Sequence, residues 1–472
     1  MDRYDVVVIG AGSTGENVAD GAVRGGLSAA LIESELVGGE CSYWACMPSK
    51  ALLRGAEALT AVRAVSGAAE AVTGPLDVAA TLRRRDGFTS HWRDDSQVEW
   101  AEAQGIAVLR GSGRITGERT VSVTAADGTV TDLRAEHAVI VCTGSAATLP
   151  PIEGLPQARP WTAREATSAQ RVPDRLAILG GGVVGCELAT AWRALGAEVT
   201  ILEVADWLLA GAEPFASELV TEALRESGVD VRTAVRVSAV RRDGDGPTTL
   251  VTGDGEVIAD ALLVAAGRRA VTDDIGLDSI VLPTGGWLDV DDSCQVAAVP
   301  GGWLYAAGDV NHRALLTHMG KYQARACAAA IVARAQGREV RVEPWSAHTA
   351  TADHAAVPSV VFTEPQVASV GRTAEQARAD GLDVRVVDYD LGSVAGPALY
   401  ADGYTGRARM VVDQGRRVVV GATFVGPGVA ELLHSATVVI VGEVPLDRLW
   451  HAVPSYPTIS EVWLRLLDGY DG

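Results

Sequence analysis

Gly38-Gly39-Glu40-Cys41-Ser42-Tyr43-Trp44-Ala45-Cys46-Met47-Pro48-Ser49-Lys50 holds two of the six cysteines in a chain of 472 residues. They stand five positions apart, between a Gly-Gly pair and Pro-Ser-Lys. Five residues of regular helix rise about 7.5 Å, beyond the roughly 7 Å Cα separation that a disulfide spans, so Cys41 and Cys46 bridge only if the segment is distorted. Pro48 supplies a cause. It donates nothing to the carbonyl of Trp44 and pushes Met47 away from helical dihedrals, so a kink or a helix start falls beside the pair. A bridge held this way is readily reduced, and a thiol near a helix N-terminus is expected to have a lowered pKa. The pair reads as a redox-active dithiol; the plainer alternative is two small buried residues.

Upstream, residues 4–9 read as a buried parallel strand running into Gly10-Ala11-Gly12-Ser13-Thr14-Gly15 and then a helix. In such a turn, backbone N–H groups at a helix N-terminus approach a pyrophosphate. One G-x-G-x-x-G carries little weight in a chain with 52 glycines. Its context carries more: the strand Ala29-Ala30-Leu31-Ile32 ends in Glu33, eighteen residues past Gly15, where a carboxylate accepts a ribose hydroxyl. The pattern then recurs. Leu176-Ala177-Ile178-Leu179 leads into Gly180-Gly181-Gly182-Val183-Val184-Gly185, and the strand Val199-Thr200-Ile201-Leu202 ends at Glu203, again eighteen residues past the last glycine. Two copies imply two bound dinucleotides, and the first flanks the dithiol.

The segment Gly-Gly-x-Cys-x4-Cys-x-Pro-Ser-Lys resembles the active-site signature of the FAD-containing pyridine nucleotide-disulfide oxidoreductases, the family of dihydrolipoamide dehydrogenase, glutathione reductase and mercuric reductase. The resemblance implies FAD at Gly10, Gly12, Gly15, Glu33 and Gly39, and a nicotinamide cofactor at Gly180, Gly182, Gly185 and Glu203. It makes Cys46 the flavin-proximal thiol and Cys41 the interchange thiol. It also pairs Lys50 with Glu187 beside the flavin, an ordinary salt bridge being the alternative. Lysine occurs only at Lys50 and Lys321, which favours a role for the one in Pro-Ser-Lys. Thr143-Gly144, ending the strand from Ala138, is similar to the family's second FAD contact. Gly267, in the run Leu263 to Arg268, is similar to the return from the nicotinamide domain. Asp309, ending Trp303-Leu304-Tyr305-Ala306-Ala307-Gly308, resembles the aspartate that binds the ribityl chain. Leu316, Thr317 and His318 stand where the family places a flavin-contacting segment, with His318 read as cofactor packing at the start of a helix over 318–335. Glu203 pairs with a free 2′-OH and repels a 2′-phosphate, and Val204-Ala205-Asp206-Trp207 adds no arginine, so NADH is favoured over NADPH.

One motif departs from the family. Where the pattern has His-Pro-Thr-x-x-Glu, reaching across a dimer to protonate the thiolate released at Cys41, this chain has Tyr456-Pro457-Thr458-Ile459-Ser460-Glu461. A histidine near pKa 6.5 protonates a thiolate near 8.5 downhill, whereas tyrosine near 10 does so uphill by about 2 kcal/mol. His451, five residues upstream, is the other candidate acid, and Glu461 is expected to orient whichever acts. Tyr43 and Trp44 either reshape access to Cys41 or simply pack. Three readings of function remain: an NAD(P)H-dependent reductase of a disulfide or related sulfur substrate, or its reverse; a diaphorase, quinone reductase or transhydrogenase whose electrons leave from the flavin; and a nucleotide-sensing flavoprotein with little turnover.

The fold expected is α/β, with two Rossmann-like dinucleotide-binding domains and a C-terminal α+β dimerisation domain. The boundaries read as 1–148 (FAD and dithiol), 149–270 (nicotinamide), 271–343 (central, completing the FAD site) and 344–472 (interface), assembled as a homodimer with a composite active site. Asp127-Gly128 signals a hairpin within 113–133, Leu149-Pro150-Pro151 marks a domain exit, and Arg83-Arg84-Arg85 reads as a solvated helix face. A net charge of −20 argues against nucleic acid and anionic membranes as partners, leaving a small-molecule substrate. Without an apolar run of 18 residues or a signal peptide, the chain is expected to be cytoplasmic. Cys142, Cys186, Cys294 and Cys327 read as packing residues, and no Cys/His spacing suggests a metal.

Overall fold

A computed structural model describes residues 1–471. It comprises two compact units, one built from 1–48, 86–148 and 267–353, the other from 49–85, 149–266 and 354 onward.

In the first unit the strand Asp2–Ile9 lies between Ala29–Glu33 and Val130–Val141, parallel to both, with Val7 opposite Ala30 and Val139. The order continues from Ala29–Glu33 to Ala107–Arg110, and from Val130–Val141 through Thr120–Thr124 to Ser112–Gly117. Both faces of the central strand are covered. Val6 and Val8 pack with Val18 and Ala22 of the helix Ser13–Arg24 and with Ala324 and Ile331 of the helix Thr317–Ala335. Val7 and Ile9 pack with Ile115, Val121 and Leu288 on the opposite face. Two-sided burial is why this strand is an unbroken apolar run instead of an alternating one. The long strand Val130–Val141 changes partner along its length, antiparallel to Thr120–Thr124 at one end and parallel to Leu304–Ala306 at the other. The expected hairpin turn is present, with Gly128 at φ +84°.

The chain passes out of the first unit after the short strand Ser145–Ala147, just before Leu149-Pro150-Pro151, and re-enters it at Arg268–Ala270. Those two strands pair antiparallel, so exit and return lie side by side.

The second unit contains a parallel sheet in the order Asp230–Arg232, Glu198–Leu202, Arg175–Leu179, Ala261–Val264, with the helix Val183–Ala194 connecting its middle strands. A three-stranded antiparallel ribbon follows, Val237–Arg242, Thr248–Thr252 and Gly255–Ala259. Its C-terminal part is a five-stranded antiparallel sheet ordered Pro358–Val361, Gln366–Gly371, Val418–Gly426, Arg407–Asp413, Val384–Asp390. The helix Val462–Asp471 sets Trp463 edge-on to Phe424 of that sheet.

The arginine run differs from expectation. Arg83 and Arg84 are exposed on the helix Val78–Phe88, but Arg85 is fully buried and donates to the carbonyls of Thr167 and Ala169. Those carbonyls end the helix Ala163–Ser168, where a cation satisfies unpaired acceptors and offsets the negative end of the dipole. Periodicity alone does not reveal such a partner. Among the described residues no helix is long and apolar enough to cross a membrane.

Candidate active site

The dithiol sits at a break between two helices. Gly38 and Gly39 adopt φ of +111° and +62°, open to glycine at no steric cost, and a Cβ on Gly39 would lie 2.8 Å from the Cα of Gly12. The helix Gly39–Tyr43 stops at Trp44 (φ −136°, ψ −7°), and a new helix, Cys46–Arg63, starts with Pro48 in its first turn. This is the distortion that the spacing demanded. Cys41 and Cys46 stand on separate helices with no disulfide between them, close enough for Cys46 to raise the Cys41 thiol. The Cys46 Sγ also lies 3.2 Å from the Thr317 hydroxyl at the start of the helix Thr317–Ala335.

The expected lowering of thiol pKa is not found at Cys41. Its proton is held well above the ordinary thiol range, first by the hydrogen bond with Cys46 and then by burial, while Thr317 and the cation of Lys321 act in the opposite direction. A thiol pair shares a proton, so the second is harder to remove than either would be alone. Tyr43, between the cysteines, is a packing residue: it is buried, and its hydroxyl donates to the carbonyl of Val37 at 3.0 Å.

The first glycine turn has the geometry that its sequence promised. Gly10 is at φ +101°, and a Cβ there would run into the carbonyl of Cys142. A Cβ on Gly15 would collide with the carbonyl oxygen of Gly10, whereas one on Gly12 would meet nothing. Two glycines thus allow close backbone packing and the third leaves open space at the helix N-terminus. Glu33 accepts hydrogen bonds from the N–H groups of Ala11 and Glu35, both at 2.8 Å. Nearby in the same unit, Ser145 donates to Asp309 at 2.5 Å and accepts from Arg268 Nε at 2.6 Å. The Thr143 hydroxyl is buried without a hydrogen-bond partner among the described residues. An unclaimed hydroxyl, an open glycine at a helix start and an aspartate held by Ser145 suit a dinucleotide's phosphates and polyol, so the residues fit FAD. His318 follows Thr317 in the first turn of its helix and is exposed, and Leu316 is that helix's N-cap.

The second turn, in the other unit, repeats this geometry. Gly180 is at φ +108° against Ala265, Gly185 abuts the carbonyl of Gly180, and Gly182 faces open space. Glu203 accepts from Gly181 N–H at 2.5 Å and from Ala205 N–H at 2.7 Å. In the same unit Lys50 Nζ donates to Glu187 Oε2 at 2.6 Å, and Glu187 Oε1 accepts from Phe362 N–H at 3.0 Å. Gly267 (φ +112°) stands where the chain re-enters the first unit. A cavity of about 660 Å³ in the second unit is lined by Lys50, Glu57, Arg193, Phe362 and Glu364 among others, and burial beside Glu57 pushes Glu364 up to about 7.

Tyr456, His451 and Glu461 also belong to the second unit. Tyr456 and His451 are exposed, and Glu461 accepts from the backbone N–H of Thr458 at 3.3 Å, capping its own short helix. Some participants gave little signal in the sequence. Ser145 and Arg268 belong to quoted motifs but were not singled out as site residues. The cysteines read as packing, Cys142, Cys186, Cys294 and Cys327, are all buried, and Cys294 donates to the carbonyl of Gln323.

Comparison with known proteins agrees with this arrangement. Residues 4–337 match the family model described as pyridine nucleotide-disulphide oxidoreductase, and residues 357–466 match that family's dimerisation domain. The chain is 30% identical over 465 residues to a dihydrolipoyl dehydrogenase of Chlamydia pneumoniae, covering 98% of this chain and 95% of that one. It is 31% identical over 465 residues to a mercuric reductase of Streptomyces lividans, covering 97% and 94%. Among solved structures, the HOCl-induced flavoprotein disulfide reductase RclA from Escherichia coli superposes with a TM-score of 0.82 at 24% identity over 98% of this chain and 99% of that one, a likeness of fold. With both family models matched in sequence and the glycine turns and dithiol in place, the chain belongs to the FAD-dependent pyridine nucleotide-disulphide oxidoreductases and is an enzyme of that family.

Proposed function

We propose that the enzyme passes electrons from NADH, in preference to NADPH, through the Cys41–Cys46 pair to a disulfide or related sulfur substrate, or runs the reverse dithiol oxidation. The observation that carries this reading is the Cys41–Cys46 dithiol set across a helix break, with Cys46 steadied by Thr317. FAD, when bound, supplies the exchange of electrons between nicotinamide and sulfur. The Cys41 sulfur attacks the substrate S–S bond, forming a mixed disulfide and releasing one thiolate. Cys46 then attacks the Cys41 sulfur, releasing the second thiolate and closing the Cys41–Cys46 bridge. The preference for NADH rests on the carboxylate of Glu203, which is held in its turn by two backbone N–H groups and disfavours a 2′-phosphate. In a homodimer the segment 456–461 of a second copy is read as completing the site.

The phenol of Tyr456 in place of an imidazole favours one further reading, a diaphorase or transhydrogenase whose electrons leave without using Cys41. Anaerobic titration with NADH separates the two. A thiolate-flavin charge-transfer band, and loss of NADH-driven disulfide reduction in Cys41→Ser, are the expected results; full activity in Cys41→Ser overturns the proposal.

A further inference from the structure

The cavity of about 660 Å³ lies wholly within the second unit. It is walled by the helix Cys46–Arg63, by the last turns of the helices Val183–Ala194 and Pro214–Glu226, and by residues 362–366, where the strand Pro358–Val361 turns into Gln366–Gly371. Apart from Lys50, none of its lining residues is among those expected to hold a cofactor or act on sulfur. It is also separate from the second glycine turn. Arg193 and Ala194 line it at one end of their helix, roughly 16 Å along the axis from Gly182 at the other, and no residue of the turn takes part.

The charges in the lining are unevenly satisfied. Each cation already has an acceptor: Lys50 donates to Glu187 at 2.6 Å, Arg54 to Glu57 at 3.3 Å, and Arg193 to the carbonyls of Ser227 and Ala197 at 2.8 and 3.2 Å. Glu57 accepts a second bond from Gln366 at 3.1 Å. Glu364 differs. It is half-buried in the same lining and makes no hydrogen bond or ion pair among the described residues. Two helices end at the cavity, and their last carbonyls add partial negative charge there. Between these polar groups the walls are apolar, formed by Leu53, Leu224 and Phe362.

We propose that this cavity is a binding site for a small organic amine, whose ammonium donates to the Glu364 carboxylate while its hydrocarbon part rests on Leu53, Leu224 and Phe362. The site is independent of the sulfur chemistry proposed above. Three features select the ligand class. The volume suits an organic molecule and far exceeds what a bare ion fills. The charge left without a partner is negative, whereas an anion would meet cations that must first release their own acceptors. A carboxylate beside an apolar wall recognises a ligand with a charged head and a hydrocarbon tail, the head by a charge-assisted hydrogen bond and the tail by area removed from water. The electrostatics agree: burial beside Glu57 pushes Glu364 up to about 7, the direction expected of a carboxyl that lacks a cation.

The test is isothermal titration calorimetry on the FAD-loaded enzyme at pH 8, where a carboxyl near 7 is mostly ionised. Three probes of similar size are compared: phenethylamine, phenethyl alcohol and phenylacetate. The amine is expected to bind at one site per chain, about tenfold or more tighter than the alcohol, with phenylacetate weakest. Glu364→Gln is expected to weaken the amine about tenfold and leave the alcohol unchanged. Ala223→Phe, which places a ring in the cavity, is expected to exclude both, and saturating NAD+ is expected to displace neither. No binding of the amine, equal affinity for the three probes, undiminished amine binding by either variant, or displacement by NAD+ overturns the inference. The comparison of probes on the wild-type enzyme decides the matter even if a variant does not fold.

Discussion

The two glycine turns, Gly10 to Gly15 in one unit and Gly180 to Gly185 in the other, have nearly the same backbone and different surroundings. Each begins with a glycine at φ near +100°, ends with one pressed on the first glycine's carbonyl, and is closed by an acid accepting two backbone N–H groups. The divergence starts one residue later. Glu16 directly follows the first turn, whereas Cys186 follows the second and donates to the Gly181 carbonyl, with the acid delayed to Glu187. One residue turns a helical side chain by about 100°. The two buried acids therefore face different neighbours: Glu187 is paired with Lys50, whereas one carboxyl oxygen of Glu16 is buried without a hydrogen-bond partner among the described residues. A nucleotide-binding turn is thus a fixed backbone device, and the chemistry beside it is chosen by where on the following helix a charge is placed.

The comparison breaks most sharply if the last glycines are not equivalent. Gly15→Ala and Gly185→Ala are each expected to cost about 3 kcal/mol or more, because the added carbon meets a backbone carbonyl that has no rotamer to yield. Denaturant unfolding of both variants checks this, and tolerance at one position would show that the turns only look alike.

Next in size is a pH effect confined to the first turn. Glu16 is raised from an ordinary value of 4.5 to about 7, so the folded state binds its proton more tightly than the unfolded state. Stability from this group is therefore fullest below about 4.5 and is lost as pH rises toward 7. Glu16→Gln should gain on the order of 2–3 kcal/mol relative to wild type between pH 4 and pH 8. Cys186→Ala should change stability with no such pH dependence over this range, and unfolding curves at both pH values read the contrast.

The closing acids come third. Glu203→Ala should lower kcat/KM for NADH about tenfold and narrow its advantage over NADPH, and Glu33→Ala should weaken flavin retention by a similar factor. Steady-state kinetics and flavin release on dilution test the pair, and an unchanged NADH:NADPH ratio in Glu203→Ala would dissociate that acid from nucleotide choice. The smallest effect on stability belongs to the middle glycines. Gly12→Ala and Gly182→Ala add a carbon into open space and should cost under about 1 kcal/mol, while the first loses flavin and the second loses nicotinamide affinity.

Much of the site was legible because it is written in local backbone requirements. Gly10, Gly15, Gly180 and Gly185 are needed wherever the chain turns tightly against itself, and Pro48 with two cysteines forces a break whatever surrounds it. Lys50 with Glu187 was recoverable only through resemblance to a family, since 137 residues separate them. Arg85 was misread because a helical run of arginines is usually solvated, and nothing nearby in sequence announces the carbonyls of Thr167 and Ala169. How firmly Cys41 keeps its proton was not legible either. Helix position predicts a lowered pKa, but the hydrogen bond to Cys46 and burial are stronger than a helix start.

By itself the sequence determined two dinucleotide turns, a dithiol at a helix break and the family to which they belong, since each depends on residues a few positions apart and on dihedrals few residue types tolerate. Tertiary structure decided that Lys50 meets Glu187 while Glu16 is buried apart, how firmly Cys41 keeps its proton and where Arg85 is buried. Those outcomes depend on distances and desolvation between segments up to hundreds of residues apart, quantities that folding creates and that no local spacing encodes.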